Sequence, residues 1–409
     1  MPAAFYLVLG VQALSTLADN AFLILAIARV MELDGAPWLI PLLKISFTLF
    51  YVLLAPFVGP LADAFPKGRV MLLANALKVS ALLLLLSGCS PLLAIGLAGL
   101  GSAIYAPAKY GLITELLPAR ALVRANGYFE SATVCAVIFG TVLGGLLVSR
   151  AMPQLELPFV VAGQAPTALA AGMLVLLAMN AVAMLLSLWV RDSGARYDRH
   201  SFHPLELLRR FAAENRLLWR DALGGLSMSV TTLLWGVGAT LQLIVLRWAH
   251  EALGLPLAQA AYLQGVTALG VVGGAVLATR WVALAQAERL LPIGVLMGLL
   301  LPLLLCISSP WTAALLLILV GALAGFFVVP MNALLQHRGC TLLTAGRSIA
   351  VQGFNENAGM LLMLGAYAAA IALELSLSAL ILGFALMVCS GMLLIWAARQ
   401  RRLGARLQP

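Results

Sequence analysis

Residues 352–360 read QGFNENAGM, and the apolar run MLLMLGAYAAAIAL (360–373) follows at once. A charged group at the centre of a membrane-spanning helix costs about 2.5–3.5 kcal/mol on insertion scales. Helical spacing shows how such a segment survives. Gln352, Asn355, Glu356 and Gly359 recur at i, i+3, i+4 and i+7 and therefore share one face, with Asn357 next to Glu356. Against lipid that face would be intolerable. Against a water-accessible cavity enclosed by other helices it is stable, because its groups can pair or stay hydrated. The stretch therefore implies a bundle of spanning helices with a polar interior.

Composition agrees. Of 409 residues, 63% are hydrophobic and 10% charged, where a soluble chain has roughly 25% charged. Apolar runs long enough to cross a bilayer predict spanning helices near 4–31, 38–62, 69–89, 92–116, 120–150, 165–190, 222–250, 256–281, 288–307, 311–337, 345–373 and 375–398. The runs do not alternate with period two, so a β-barrel is excluded. Placing both termini in the cytoplasm puts 20 of the 25 Lys and Arg on that side and three (Arg29, Arg150 and Arg247) outside, with Lys44 and Lys78 inside helices. This is the asymmetry of the positive-inside rule. The net charge of +9 thus reports topology and contact with the inner leaflet, and nucleic acid is excluded as a partner. Lys78 is read as snorkelling toward the cytoplasm. Lys109 either does the same or reaches into the cavity.

The five cysteines are scattered without CxxC spacing and read as packing residues. His200 and His203 have no partner ligands near them, and no metal or other cofactor is implied. No nucleophile–base pair points to an enzyme. The start, MPAAFYLVLG, reads as the first spanning helix and not as a cleaved leader.

The basic stretch 191–221 separates a six-helix half (1–190) from a second one (222–398), and a basic cytoplasmic tail (399–409) ends the chain. Within the linker, PLELLRRFAAENRLLWR (204–220) is amphipathic. Leu205, Leu208 and Phe211 are placed on its apolar side, and the helix is read as lying on the membrane surface. The halves repeat. Aligning Glu130 with Glu356 matches NGYFESATV (126–134) to QGFNENAGM (352–360), pairing Asn126 with Gln352; upstream, Pro107 matches Pro330. Two parallel six-helix halves with polar faces in register are the pattern of major-facilitator-type transporters. An all-α integral membrane protein of twelve spanning helices in two pseudo-symmetric bundles is therefore predicted. Asn126 and Glu130 at i, i+4 repeat the stripe, as do Gln12, Ser15, Thr16 and Asp19 on the first helix, with Asn20 beside them.

Several stretches resemble one family. LADNAFL (17–23), APFVGPLADAFPKGRVM (55–71), YAPAKYG (105–111), RANGYFE (124–130), GFFVVPMNALLQHRG (325–339) and AVQGFNENAGMLLMLG (350–365) are similar to the bacterial lysophospholipid transporters of the LplT family. The resemblance implies a flippase that moves lysophosphatidylethanolamine and lysophosphatidylglycerol from the outer to the inner leaflet of the inner membrane. A cytoplasmic-side acyltransferase/acyl-carrier-protein synthetase partner would then re-acylate them. It implies cavity charges at Asp19, Lys109 and Glu356, and a conformational latch at Asp63, Lys67 and Arg69 in GPLADAFPKGRV. One departure stands out: where the family pattern places an arginine after WGxGxTL, this chain has Gln242, and Arg247 lies five residues further on. The substrate-contacting set is thus Asp19, Asn20, Lys109, Asn126, Glu130, Gln242, Arg247, Gln352, Asn355, Glu356 and Asn357. Two alternatives remain at this point: a proton-coupled exporter of amphipathic drugs, with Asp19 or Glu356 as proton carrier, and a membrane scaffold for the acyltransferase.

Overall fold

The computed structural model describes residues 1–33, 39–148, 167–190, 192–195, 197, 203–255 and 257–406. Arg150, His200 and the predicted span ends at 38, 149–150, 165–166 and 256 lie outside them. The described residues are helical and contain no β-strand. In chain order the helices are α1 (Ala3–Glu32), α2 (Leu39–Leu53), α3 (Ala55–Ala64), α4 (Lys67–Leu86), α5 (Pro91–Leu116), α6 (Ala119–Val148), α7 (Thr167–Ser187), α8 (Pro204–Arg220), α9 (Ala222–Leu253), α10 (Leu257–Trp281), α11 (Leu291–Leu300), α12 (Pro310–Leu342), α13 (Ala345–Ala372) and α14 (Leu377–Arg406).

Ten spans among the described residues are long and apolar enough to cross a membrane, and eleven if one bent pair counts as a single span. That pair is α2 and α3, bent by 63° within the predicted span 38–62. Pro56 explains the break, since it removes an N–H from the helical ladder and its ring clashes with the turn before it, whereas α3 runs on through Pro60. Helix α13, 28 residues long, is not among those spans. Asn355, Glu356 and Asn357 sit mid-helix and offset the apolar residues that follow. The predicted span 288–307 is α11 flanked by 3₁₀ turns at Leu284–Leu290 and Leu301–Cys306, with Pro292 and Pro302 at the two junctions. Large side chains such as Trp311 and Leu362 are exposed, as lipid contact requires.

The chain forms two compact units. The first comprises 1–117, 135–212 and 343–353; the second comprises 118–134, 213–342 and 354–409. The first is built on α1, α2, α4, α5 and α7, whose Phe22, Leu25, Leu82, Leu85, Ile95 and Leu176 form a shared apolar core. Gly140 and Gly144 of α6 press against the backbone and side chains of α1 at Leu17, Ala21 and Ile24. The second unit packs α10 on α12 through four glycines. A methyl group on Gly270 or Gly274 would meet α12 carbonyl oxygens within 2.3 Å, and one on Gly321 or Gly325 would meet α10 carbonyls as closely. Small residues let helices approach where lipid gives no hydrophobic drive for association.

Helix α8 forms where expected. Leu207, Phe211 and Leu218 are buried, while Leu205 and Leu208 are exposed.

Candidate functional site

Polar side chains converge in the first unit on the apolar wall between α1, α4 and α5. Lys78 of α4 reaches Asp19 of α1: its Nζ donates to Asp19 Oδ2 at 2.6 Å and to Ser15 Oγ at 2.8 Å. Ser102 of α5 donates to the same carboxylate oxygen at 3.0 Å. The Ser15 hydroxyl donates to Asn75 Oδ1 at 3.2 Å, and Asn75 in turn donates to Ser187 of α7. The Lys78 side chain is 4% accessible and that of Asp19 13%. Snorkelling is therefore wrong for Lys78. The nearest anion, three helices away in sequence, outweighs the distant interface because an unpaired buried ammonium is far costlier than a paired one.

One turn toward the N-terminus of α1, Lys109 donates to Gln12 Oε1 at 2.7 Å. Its Nζ lies 4.2 Å from the centre of the Tyr110 ring and 5.8 Å from that of Tyr105. Tyr105 also faces the Lys78 ammonium, at 5.4 Å, so one ring stands between two cations. Stacking of this kind stabilises a desolvated cation by about 2 kcal/mol. Asp19 and Lys109, both candidates from sequence, thus belong to one network, and Gln12 and Ser15 of the polar stripe join it. Asn20 does not. Its amide donates back to Thr16 O at 2.8 Å.

A second charged cluster in the same unit surrounds the α3–α4 turn. Lys67 Nζ lies 3.0 Å from Asp63 and 3.2 Å from Glu115, and it also donates to Ala62 O. Asp63 accepts the backbone N–H of Gly346 at 2.9 Å and the Thr344 hydroxyl. It therefore caps the N-terminus of α13, where a negative charge meets the positive end of the helix dipole. Glycines make room: a methyl on Gly346 would sit 2.7 Å from Asp63 Oδ1, and one on Gly59 would sit 2.8 Å from Arg347 Cα. Tyr197 and Ser193 donate to Glu115, and the Tyr197 ring covers Lys67 at 5.1 Å. Arg69 is exposed and stands apart from this cluster.

In the second unit the candidates fall into separate pairs. Asn126 and Gln336 exchange two hydrogen bonds of 2.9 Å and are both buried. Asn355 donates to Asn215 at 2.9 Å and accepts from Trp219 Nε1 at 3.0 Å, which ties α13 to α8. Gln242 pairs with Gln264 of α10. Arg247 turns forward to Glu251 at 2.6 Å, away from Gln242. Glu130, Glu356 and Asn357 of this unit are partly buried; Gln352, which belongs to the first unit, is buried. Asp221, at the start of α9, caps Gly224 and pairs with Arg338. The Arg338 hydrogen bonds hold its carboxyl below the ordinary range.

Sequence reasoning missed Lys78 as a partner of Asp19, and it missed Glu115, Ser193 and Tyr197. Thr344 carried a readable signal, a hydroxyl residue immediately before a helix. No local pattern could have linked residues 59 positions apart.

Residues 8–362 match the sequence profile of the Major Facilitator Superfamily. The chain belongs to that superfamily. It is 39% identical over 361 residues to the lysophospholipid transporter LplT of Yersinia pestis, covering 88% of this chain and 85% of the relative, and the Yersinia pseudotuberculosis protein matches equally. At that identity it is a member of the LplT family: a multi-pass membrane transporter and not an enzyme. Among solved structures, the E. coli fucose:proton symporter superposes with a TM-score of 0.74 at 15% identity, covering 97% of this chain and 98% of the other. A bacterial homologue of the iron transporter ferroportin gives 0.71 at 15%, covering 98% and 99%. These share the facilitator fold.

Proposed function

We propose that the protein flips lysophospholipids, lysophosphatidylethanolamine and lysophosphatidylglycerol, from the outer to the inner leaflet of the bacterial inner membrane by alternating access. On this reading both termini are cytoplasmic, and a cytoplasmic-side acyltransferase re-acylates the product. The carrying observation is the Asp19–Lys78–Lys109 network in a chain whose 39% identical relatives are named lysophospholipid transporters. A zwitterionic headgroup needs a cation for its phosphate and an anion for its ammonium in a poorly hydrated place. Lys109, which donates to Gln12 and lies against the Tyr110 and Tyr105 rings, takes the phosphate by exchanging Gln12. Asp19 keeps Oδ2 on Lys78 and Ser102 and offers Oδ1 to the ammonium. Asp63 with Lys67 acts as the latch, since its hold on the α13 N-terminus must be made and broken during a cycle. The drug-exporter and scaffold readings lack a comparable support.

The test is uptake of labelled lysophosphatidylethanolamine into proteoliposomes. Wild-type flux with at least a tenfold loss in Lys109→Ala supports the reading. Absence of flux in wild type, or full flux in Lys109→Ala, overturns it.

A further inference from the structure

Helix α8 carries two apolar stripes and buries only one of them. Leu207, Phe211 and Leu218 are buried. On the other side Leu205, Leu208, Ala212 and Trp219 recur at i, i+3, i+7 and i+14, share a face and are exposed. Arg209, Arg216 and Arg220 recur at i, i+7 and i+11 along the edge of that exposed stripe, and all three are exposed as well. Among the described residues none of the three is in an ion pair, whereas Arg210 turns back to Glu206 at 3.2 Å. The stripe and its arginine edge belong to one continuous helix, Pro204–Arg220.

Chain connection places this face beside the bilayer. Only Asp221 separates α8 from α9, the spanning helix that begins at Ala222. Trp219 is therefore at the depth of the lipid headgroups, where indoles with an apolar body and a polar edge concentrate. An apolar stripe edged by arginines is complementary to a leaflet that is apolar within and anionic at its surface. Helix α8 is also tied to α13. The Asn355 side chain accepts from Trp219 Nε1 at 3.0 Å and donates to Asn215 Oδ1 at 2.9 Å. Asn355 adjoins Glu356 and shares a face with Gln352 and Gly359. A shift of α8 relative to the bilayer thus reaches the polar stripe of α13 through two hydrogen bonds.

We infer that the exposed face of α8 docks on anionic phospholipid headgroups of the cytoplasmic leaflet, and that this docking regulates transport through Trp219, Asn215 and Asn355. The inference rests on the transport reading above and adds a regulator to it, a lipid that is bound at the surface and not carried. Asn355 is then a positioning residue for α13. On an anionic leaflet the seated helix holds Asn355 in place. On a neutral one the arginines lose their partners, α8 lifts, and both bonds to Asn355 loosen.

Docking is read without transport. A nitroxide attached at Leu208→Cys, in a background whose five native cysteines are replaced, reports depth in vesicles of phosphatidylcholine alone or mixed with phosphatidylglycerol. The label should lie within the interface in the anionic vesicles and move toward water in the neutral ones. It should also move toward water when salt screens the headgroups, and in Arg209→Gln/Arg216→Gln/Arg220→Gln even with phosphatidylglycerol present. Uptake of lysophosphatidylethanolamine by wild type should rise about fivefold or more with phosphatidylglycerol. Asn215→Ala/Trp219→Phe, carrying the same label, should keep its depth but lose that response, which separates coupling from docking. A label in water in anionic vesicles, or equally deep in both kinds, overturns the docking whether or not the arginine variant folds, and leaves the face to a protein partner. Wild-type uptake that ignores phosphatidylglycerol, or an Asn215→Ala/Trp219→Phe protein that still responds to it, overturns the regulation. If wild type shows no uptake in any vesicle, the transport reading fails, and the depth of the label still decides the docking.

Discussion

The two compact units handle buried polarity in opposite ways. The first is ionic. Its Asp19–Lys78 pair and its Asp63–Lys67–Glu115 cluster hold side chains of which none is more than 13% accessible. The second pairs neutral amides, buried at Asn126 with Gln336, partly buried at Asn355 with Asn215 and exposed at Gln242 with Gln264. Its ion pairs lie further out, with accessibilities of 14–30% at Asp221–Arg338 and 30–42% at Arg247–Glu251. The repeated stretches carry the same contrast: Lys109, two residues after Pro107, has as its counterpart Asn332, two residues after Pro330. Buried charge stores large energies that reverse when a partner changes, whereas amide pairs hold helices together with less at stake. On the proposed function, the unit with the ions is the one that recognises the charged headgroup.

The largest effect should come from unpairing the first unit's core. Asp19→Ala leaves the Lys78 ammonium buried without its anion, a loss of about 3–5 kcal/mol in comparable cases. The folded, monodisperse fraction after detergent extraction should fall sharply. Asp19→Ala/Lys78→Ala should recover much of it, because the double change removes the uncompensated charge. A double variant no better than the single would mean that the ionic pair is not what sets the first unit apart.

Asp63→Asn comes next. It keeps a side-chain oxygen for Gly346 but removes the charge that faces Lys67 and the α13 dipole. Flux should fall by about tenfold while the affinity for lysophospholipid changes little, since the residue is outside the Asp19 network. Equilibrium binding set against flux in the same preparation distinguishes the two. A loss confined to binding would remove the latch from the account.

How far the sequence disclosed this contrast depends on range. The polar stripes of α1, α6 and α13 were legible because helical periodicity is local, and so was Asp63 with Lys67, four residues apart. The repeat identified a facilitator bundle because the polar motifs recur in order. The Asp19–Lys78 bond was not legible: the side chain of Lys78 has the length to snorkel or to cross to another helix, and only the packing of α4 against α1 decides. The exposed position of Arg69 and the retreat of Asn20 onto its own backbone were hidden for the same reason. The 63° break at Leu54 was readable in hindsight from Pro56, but a proline in an apolar run also fits a gently kinked span.

The amide pairs of the second unit predict a smaller effect. Asn126→Ala or Gln336→Ala leaves one buried amide unsatisfied and should cost about 1–3 kcal/mol. Replacing both should cost less than the sum, with a coupling of about 0.5–3 kcal/mol in a double-mutant cycle. Thermal midpoints of the three variants measure it. Strict additivity would show that the two side chains do not depend on each other.

The smallest effect is expected at Arg247, although it is the cation closest in sequence to the position where the family pattern places an arginine. Its guanidinium bonds Glu251 one turn further along α9, and both side chains are substantially accessible. Exposed pairs of this kind contribute up to about 1 kcal/mol. To replace the missing cation Arg247 would have to abandon Glu251 and reach back about one and a half turns, past a Gln242 already held by Gln264. Arg247→Ala should therefore keep most of the flux and stability, while Lys109→Ala in the ionic unit loses most of its transport. Gln242→Arg should be tolerated and should sharpen the choice between lysophosphatidylethanolamine and lysophosphatidylglycerol, because a guanidinium recognises phosphate with a geometry that an amide lacks. Uptake of the two lipids by the three variants is the measurement. An inactive Arg247→Ala beside an active Lys109→Ala would place the phosphate contact in the second unit and invert the contrast between the two.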